Sequence, residues 1–141
     1  MKIGALKEIA EDEARVAITP ESATQLQKLG FSCVVESGAG IRSGITDKDY
    51  RDAGVKVSKT SDTVIKDCDI IIKVRPPEPD EAKKLREGQT LLSFIYPGQN
   101  PELLDQFAKQ GTHVLAMDMV PRISRAQKMD CLLYTSDAAD D

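Results

Sequence analysis

Six short runs rich in apolar and β-branched residues punctuate the chain: KIGAL (2–6), SCVVES (32–37), VKVS (55–58), DIIIKV (69–74), TLLSFI (90–95) and HVLAMD (113–118). Between them lie segments of helical pattern near 20–29, 47–53, 61–66, 79–86 and 101–110. Strict strand–helix alternation leaves few topologies open, and it predicts a parallel sheet joined by helical crossovers. DIIIKV and TLLSFI are continuous apolar runs rather than alternating ones, the pattern of strands covered on both faces.

The helix boundaries carry their own chemistry. In TPESATQLQKLG, Thr19 is an N-cap, Pro20 fits the first helical position, where a missing N–H costs nothing, Glu21 suits the positive end of the helix dipole, and Gly30 is a stop. Leu26 and Leu29 are expected to face the sheet. NPELLDQFAKQG repeats this grammar with Asn100, Pro101, Glu102 and Gly111. In RPPEPD, Pro76, Pro77 and Pro79 force an extended exit from the DIIIKV strand and exclude helix before position 80.

A chain of 141 residues holds one domain, or one domain and the beginning of another. The net charge is −4, and the final segment contributes three of the acids (Asp137, Asp140, Asp141), so residues 1–130 carry about −1. That balance argues against a nucleic-acid or anionic-membrane surface. No run of roughly 18 apolar residues occurs, and the N-terminus has no apolar signal core. Cys33, Cys68 and Cys131 are far apart, with no CxxC and a single histidine, His113, so neither a metal site nor a disulfide is expected.

ESGAGIRSGI imitates a dinucleotide-binding glycine loop: Gly38, Gly40 and Gly44 follow a strand, and Glu36 stands where a ribose carboxylate would. The third glycine is needed at position 43, which is Ser43, so the loop reads as a tight turn. The expected fold is therefore α/β, Rossmann-like or flavodoxin-like, a parallel sheet with helices on both faces that lacks the dinucleotide fingerprint.

Arg15 in EDEARVAITP and Arg75 in KVRPPEPD both follow strands, at the edge where open α/β sheets meet ligands, so two guanidinium groups can converge on a carboxylate or a phosphate. The competing reading for each is a solvated or ion-paired surface arginine. Tyr96 and Gln99 in FIYPGQNPE stand at the lip of the next strand. PRISRAQKMD places Arg122, Ser124, Arg125, Gln127 and Asp130 close together after the last strand, as a solvated linker or a ligand loop.

MKIGALKEIAEDEARVAITPESATQLQKLGF, VVESGAG, IIKVRPP, SFIYPGQNPEL and above all MVPRISRAQKMD resemble the N-terminal part of the alpha subunits of proton-translocating NAD(P) transhydrogenases, within the alanine dehydrogenase/transhydrogenase family. The resemblance implies a first domain, residues 1–130, that packs against a true NAD-binding domain encoded further along. By carry-over, Arg122, Gln127 and Asp130 contact the cofactor. Arg122 and Asp130 orient the nicotinamide, and Gln127, the candidate catalytic residue, reaches toward the partner's nicotinamide. The full-length subunit would bind NAD(H). It would act as a dimer at the cytoplasmic face of the cell membrane, passing hydride to NADP⁺ on a membrane-embedded beta component with coupled proton movement.

Alanine dehydrogenases share Arg15 and place a lysine where Arg75 stands, but they carry a histidine acid/base where this chain has Tyr96. An amino-acid dehydrogenase moves a proton to and from the substrate amine. Arg15, Arg75 and Tyr96 are thus expected to form a vestigial substrate pocket. Two other readings stay open: an alanine or saccharopine dehydrogenase-like amino-acid oxidoreductase, and a non-catalytic module that holds a small carboxylate. The final stretch is CLLYTSDAADD, and its first ten residues match the translation of TGT CTC TTA TAC ACA TCT GAC GCT GCC GAC, which resembles a transposon-type sequencing adapter, so residues 131–141 are expected to be a non-native read-through tail. The fragment alone is expected to be inactive.

Overall fold

The computed structural model describes residues 1–120; Arg122, Gln127, Asp130 and the 131–141 segment lie outside the described residues. Six strands, β1 (Lys2–Ala5), β2 (Ser32–Glu36), β3 (Lys56–Ser58), β4 (Ile70–Ile72), β5 (Thr90–Ser93) and β6 (His113–Ala116), alternate with five helices. These are α1 (Pro20–Lys28), α2 (Asp47–Asp52), α3 (Ser61–Asp67), α4 (Pro79–Lys84) and α5 (Pro101–Gln110). Every strand pairing is parallel, in the order β3-β2-β1-β4-β5-β6. The strand order reverses between β1 and β4, which creates a topological switch point at the centre of the sheet.

The period-two alternation of strand side chains divides the core. Val34, Ile71 and Leu91 point to one face and pack with Val64 and Ile65 of α3, Ala82 of α4 and Phe107 of α5. Ile3, Ala5, Cys33 and Val35 point to the other and pack with Ala23 of α1 and Tyr50 of α2. Tyr50 is fully buried, and its hydroxyl donates to the Ile18 carbonyl at 2.7 Å, which satisfies its polar end. Helices thus lie on both faces. The second core reaches Ile70 and Ile72 of β4 but includes no residue of β5 or β6. The two-sided cover read from the apolar runs therefore holds for β4, while in β5 Leu91 is buried on one face and Leu92 only partly on the other, beside Leu115 of β6, which is 58% exposed.

Local chemistry explains the boundaries. Thr19 accepts from the Ser22 N–H and caps α1 as expected. Leu29, expected to face the sheet, is 74% exposed, because α1 ends at Lys28 and the chain reverses through Gly30 at φ 96°. Helix α4 begins at Pro79, one residue earlier than the prolines were read to allow, since proline fits the first turn of a helix. Asn100 does not cap α5; its amide instead donates back to the carbonyls of Ile95 and Tyr96. His113 opens the edge strand β6 and is exposed.

Candidate functional site

In a parallel sheet the backbone N–H groups just beyond each strand all emerge at one edge, and unpaired they would make an anion cradle. Here that edge is occupied by the chain's own carboxylates. After β1, the Lys7 N–H donates to Glu36 at 3.2 Å. After β2, the Gly38 N–H donates to Asp47 at 2.9 Å, and the Ser37 hydroxyl donates to the other Asp47 oxygen. After β4, Val74 and Arg75 donate to Glu8 at 3.1 and 2.9 Å. After β5, Ile95 and Tyr96 donate to Asp118 at 2.8 and 2.9 Å. The bonds from Gly38 and Ser37 hold the Asp47 carboxyl below its ordinary range, while burial pushes Glu36 up.

The switch-point crevice is closed by Glu8. It comes from the loop after β1, reaches across to β4, and there meets the ammonium of Lys73 at 3.3 Å as well as the two backbone donors. Lys73 also lies 3.6 Å from Glu81 of α4, and the side chains of Lys73 and Glu8 are each 2% exposed. Two carboxylates therefore flank one buried ammonium, and the loops after β1 and β4 are tied to each other rather than parted for a ligand.

Arg15 and Arg75 do converge, and the carboxylate they converge on is internal. Arg15 donates to both oxygens of Glu13, at 2.8 and 3.0 Å, while Arg75 donates from Nε to Glu13 at 2.9 Å and from Nη2 to Asp12 at 3.1 Å. Glu13 is 3% exposed, and the Arg15 bonds lead, with help from Arg75, in lowering its carboxyl to about 2. The glycine loop after β2 holds this arrangement from behind: Arg42 donates to the carbonyls of Ala10 and Glu13, and the Ser43 hydroxyl to that of Ala14. That loop approaches its own helix closely, and a Cβ on Gly40 would sit 2.7 Å from Ile45 Cβ and 3.0 Å from the Tyr50 ring. Its role is structural, as a turn.

Tyr96 lies at the lip of β5, 40% exposed, with its ring stacked on Phe94 at a centroid distance of 6.1 Å. Its φ is +51°, the only positive value outside glycine among the described residues. A cleft of about 730 Å³ opens between the loops after β4 and β5, lined by Arg75, Pro76, Gln99 and Asn100 among others. Arg75 and Gln99 thus share a cleft, whereas Tyr96 is not in its lining.

The sequence reading singled out the arginines but missed their acceptor Glu13 and, of the acids on the edge N–H groups, Glu8, Asp47 and Asp118. Glu13 has a local signal in its x+2 spacing to Arg15. Glu8 and Asp118 have none, because their partners, backbone N–H groups and for Glu8 also the Lys73 ammonium, lie at the ends of distant strands. The described residues do not form the phosphate part of a dinucleotide site: the loop after β1 has no glycine, and the edge N–H groups already have acceptors.

Comparison with known proteins agrees with this architecture. Residues 4–139 match the family model described as alanine dehydrogenase/PNT, N-terminal domain. The chain is 58% identical to the NAD(P) transhydrogenase subunit alpha of Cereibacter sphaeroides over 132 residues, which is 94% of this chain and 25% of that protein. It superimposes on a solved transhydrogenase from Sinorhizobium meliloti with a TM-score of 0.88 at 39% identity, covering 94% of this chain and 39% of the other. A solved L-alanine dehydrogenase gives a TM-score of 0.83 at 30% identity, covering 89% of this chain and 34% of the other. The chain thus spans about a quarter of the length of the curated transhydrogenase subunit it matches. The parallel sheet in dinucleotide-fold order without a fingerprint, the match over nearly its whole length and the agreement with both enzymes lead to one assignment: the chain belongs to the alanine dehydrogenase/transhydrogenase N-terminal domain family.

Proposed function

We propose that the chain supplies the first domain of the NAD(H)-binding component of a proton-translocating NAD(P) transhydrogenase. The observation that carries this reading is the 58% identity to a transhydrogenase alpha subunit over 94% of the chain. The edge chemistry supports it. Arg15 and Arg75 are engaged by Glu13, and position 96 holds a tyrosine rather than a histidine, so the lip of β5 carries no imidazole to exchange a proton with a substrate amine.

Direct hydride transfer between two nicotinamides needs no acid or base from the protein, only proximity, orientation and exclusion of water. In this reading residues 1–120 are the rigid support, and Arg122 and Asp130 orient the nicotinamide while Gln127 reaches toward the NADP(H)-bearing partner. The working protein is a dimer of full-length alpha subunits docked on a membrane beta component at its cytoplasmic face. No described helix is long and apolar enough to cross a membrane, which suits a peripheral part.

The test is the full-length subunit assembled with its partner. Hydride transfer from NADH to an NADP⁺ analogue, with no NADH-dependent turnover of pyruvate plus ammonia, is the expected result. Turnover of pyruvate plus ammonia without transhydrogenation would replace this reading with an alanine dehydrogenase-like one.

A further inference from the structure

Glu8 closes the switch-point crevice, yet a cavity of about 760 Å³ lies against it, bounded by the loop after β1, the end of β2 and the starts of α3 and α4. Small-molecule sites usually measure about 300–1,000 Å³, so this one has room for a ligand. Acids outnumber bases in its lining five to three, and most of these charges are already spent. Glu8 and Glu81 flank the buried Lys73, Lys84 pairs with Asp62 at 2.7 Å, and Arg42 donates to the carbonyls of Ala10 and Glu13. No set of free cations is left in the cavity to hold a phosphate, and the described residues contain no group of three side chains fit to hold a metal ion.

Three groups are not spent. One oxygen of Glu36 accepts from the Lys7 N–H at 3.2 Å, and the other has no hydrogen-bond partner among the described residues. Every buried side-chain oxygen and nitrogen among those residues does have a partner, so the second Glu36 oxygen is open to solvent. Burial pushes this half-buried carboxyl up, and a hydroxyl donating to it would restore part of the lost hydration. The Lys7 ammonium makes no hydrogen bond or ion pair among the described residues and lies beside the turn after β2, where a Cβ on Gly38 would sit 3.8 Å from it. The Ser61 hydroxyl, at the first position of α3, is likewise without a hydrogen bond, because Thr60 does the capping.

An acceptor, a donor and a hydroxyl that is both, set around one cavity beside the apolar side chains of Ile9 and Pro79, match the alternating donors and acceptors of a neutral sugar. We propose that this cavity binds a small unphosphorylated polyol, with Glu36 accepting from one hydroxyl of a vicinal pair, Lys7 donating to the other and Ser61 bonding a third. Position 36 thus keeps the carboxylate that dinucleotide folds place on a ribose diol, while the edge donors that would take phosphates are filled by Asp47 and Glu8. The site does not depend on the proposed function. A free pentose and the ribose of a nucleoside offer the same diol.

The experiment is ligand-observed saturation-transfer NMR on the 141-residue chain, titrated with D-ribose, adenosine, the 2-deoxy form of each, and ribose 5-phosphate. The variants are Glu36→Gln, Lys7→Met and Ser61→Ala, each checked for folding by circular dichroism. The expected result is a Kd of about 1–10 mM for ribose or adenosine, about fivefold weaker or more for the deoxy compounds and in Glu36→Gln, and about two- to threefold weaker in Ser61→Ala. Saturation by ribose identifies a free sugar as the source, and saturation by adenosine alone a nucleoside. No saturation by either up to about 20 mM overturns the proposal. Equal binding of the deoxy compounds overturns the diol, and ribose 5-phosphate bound about tenfold tighter than ribose overturns the neutral class. Affinity unchanged in all three variants places the sugar elsewhere and overturns the site. Should Glu36→Gln fail to fold, Lys7→Met and Ser61→Ala, whose side chains give up no hydrogen bond, decide it.

Discussion

Replacing Glu8 by alanine should be the most damaging single substitution at the strand edge. Glu8 accepts from the Lys73 ammonium at 3.3 Å and from the N–H groups of Val74 and Arg75 at 3.1 and 2.9 Å. Lys73 is 2% exposed and would keep only Glu81, 3.6 Å away. Removing one partner of a buried ion pair costs about 3–5 kcal/mol, and the retained Glu81 places the expected loss near the lower end, about 3 kcal/mol. A domain of this size holds about 5–15 kcal/mol in total, so the thermal midpoint should fall by roughly 10 °C. Glu8→Gln keeps an acceptor for the backbone and should cost about 1–2 kcal/mol. Combining Glu8→Gln with Lys73→Met removes both charges, so the double variant should be less destabilised than the singles predict together, by about 1–3 kcal/mol. Urea unfolding followed by circular dichroism at low protein concentration measures all four. A Glu8→Ala variant within about 0.5 kcal/mol of the parent, or a coupling near zero, would refute the idea that this network ties the loops after β1 and β4 together.

Glu13 makes stability depend on acid. Its carboxyl is lowered from an ordinary 4.5 to about 2, so its contribution is fully present above pH 4.5 and is lost as pH falls through about 2; the melting temperature should decline across that window, less steeply in Glu13→Gln. Gly4→Ala should destabilise by about 1–3 kcal/mol, because the added Cβ would sit 2.7 Å from both Cys68 Sγ and Val64 Cγ1; adding Cys68→Ala should recover part of the loss in the same denaturation assay. The face of β5 and β6 that bears the exposed Leu115 should make the chain self-associate, and light scattering at increasing concentration should show a rising mean mass; a constant monomer mass would count against this.

The architecture was legible because its signals are local. DIIIKV and TLLSFI mark central strands by composition, and prolines at helix starts with glycines at helix ends mark α1 and α5. Boundary chemistry was less secure where one residue had two uses: Asn100 reads as a cap by type, yet its amide serves the turn at Tyr96. Leu29 continues the helical period of Leu26 but falls just past the end of the helix, where period no longer determines direction.

The site was half legible. Two arginines after two strands at a shared edge predict convergence, and they converge on Glu13. That the partner is an internal carboxylate depends on the path of residues 6–19, which have no period to read. The grip of Glu8 on Val74 and Arg75 and of Asp118 on Ile95 and Tyr96 arises from strand order alone: β1 lies beside β4, and β5 beside β6. An acid that bonds a backbone N–H leaves no mark in the sequence of its partner.

The central claim is that this domain supports a nicotinamide site without providing a phosphate cradle, its edge N–H groups being already filled by Glu36, Asp47, Glu8 and Asp118. Fluorescence titration of NADH against the 141-residue chain and against the full-length subunit, side by side, tests it most directly. The account predicts saturable binding by the subunit and none by the chain up to roughly millimolar NADH. Micromolar, saturable binding by the chain alone would contradict it.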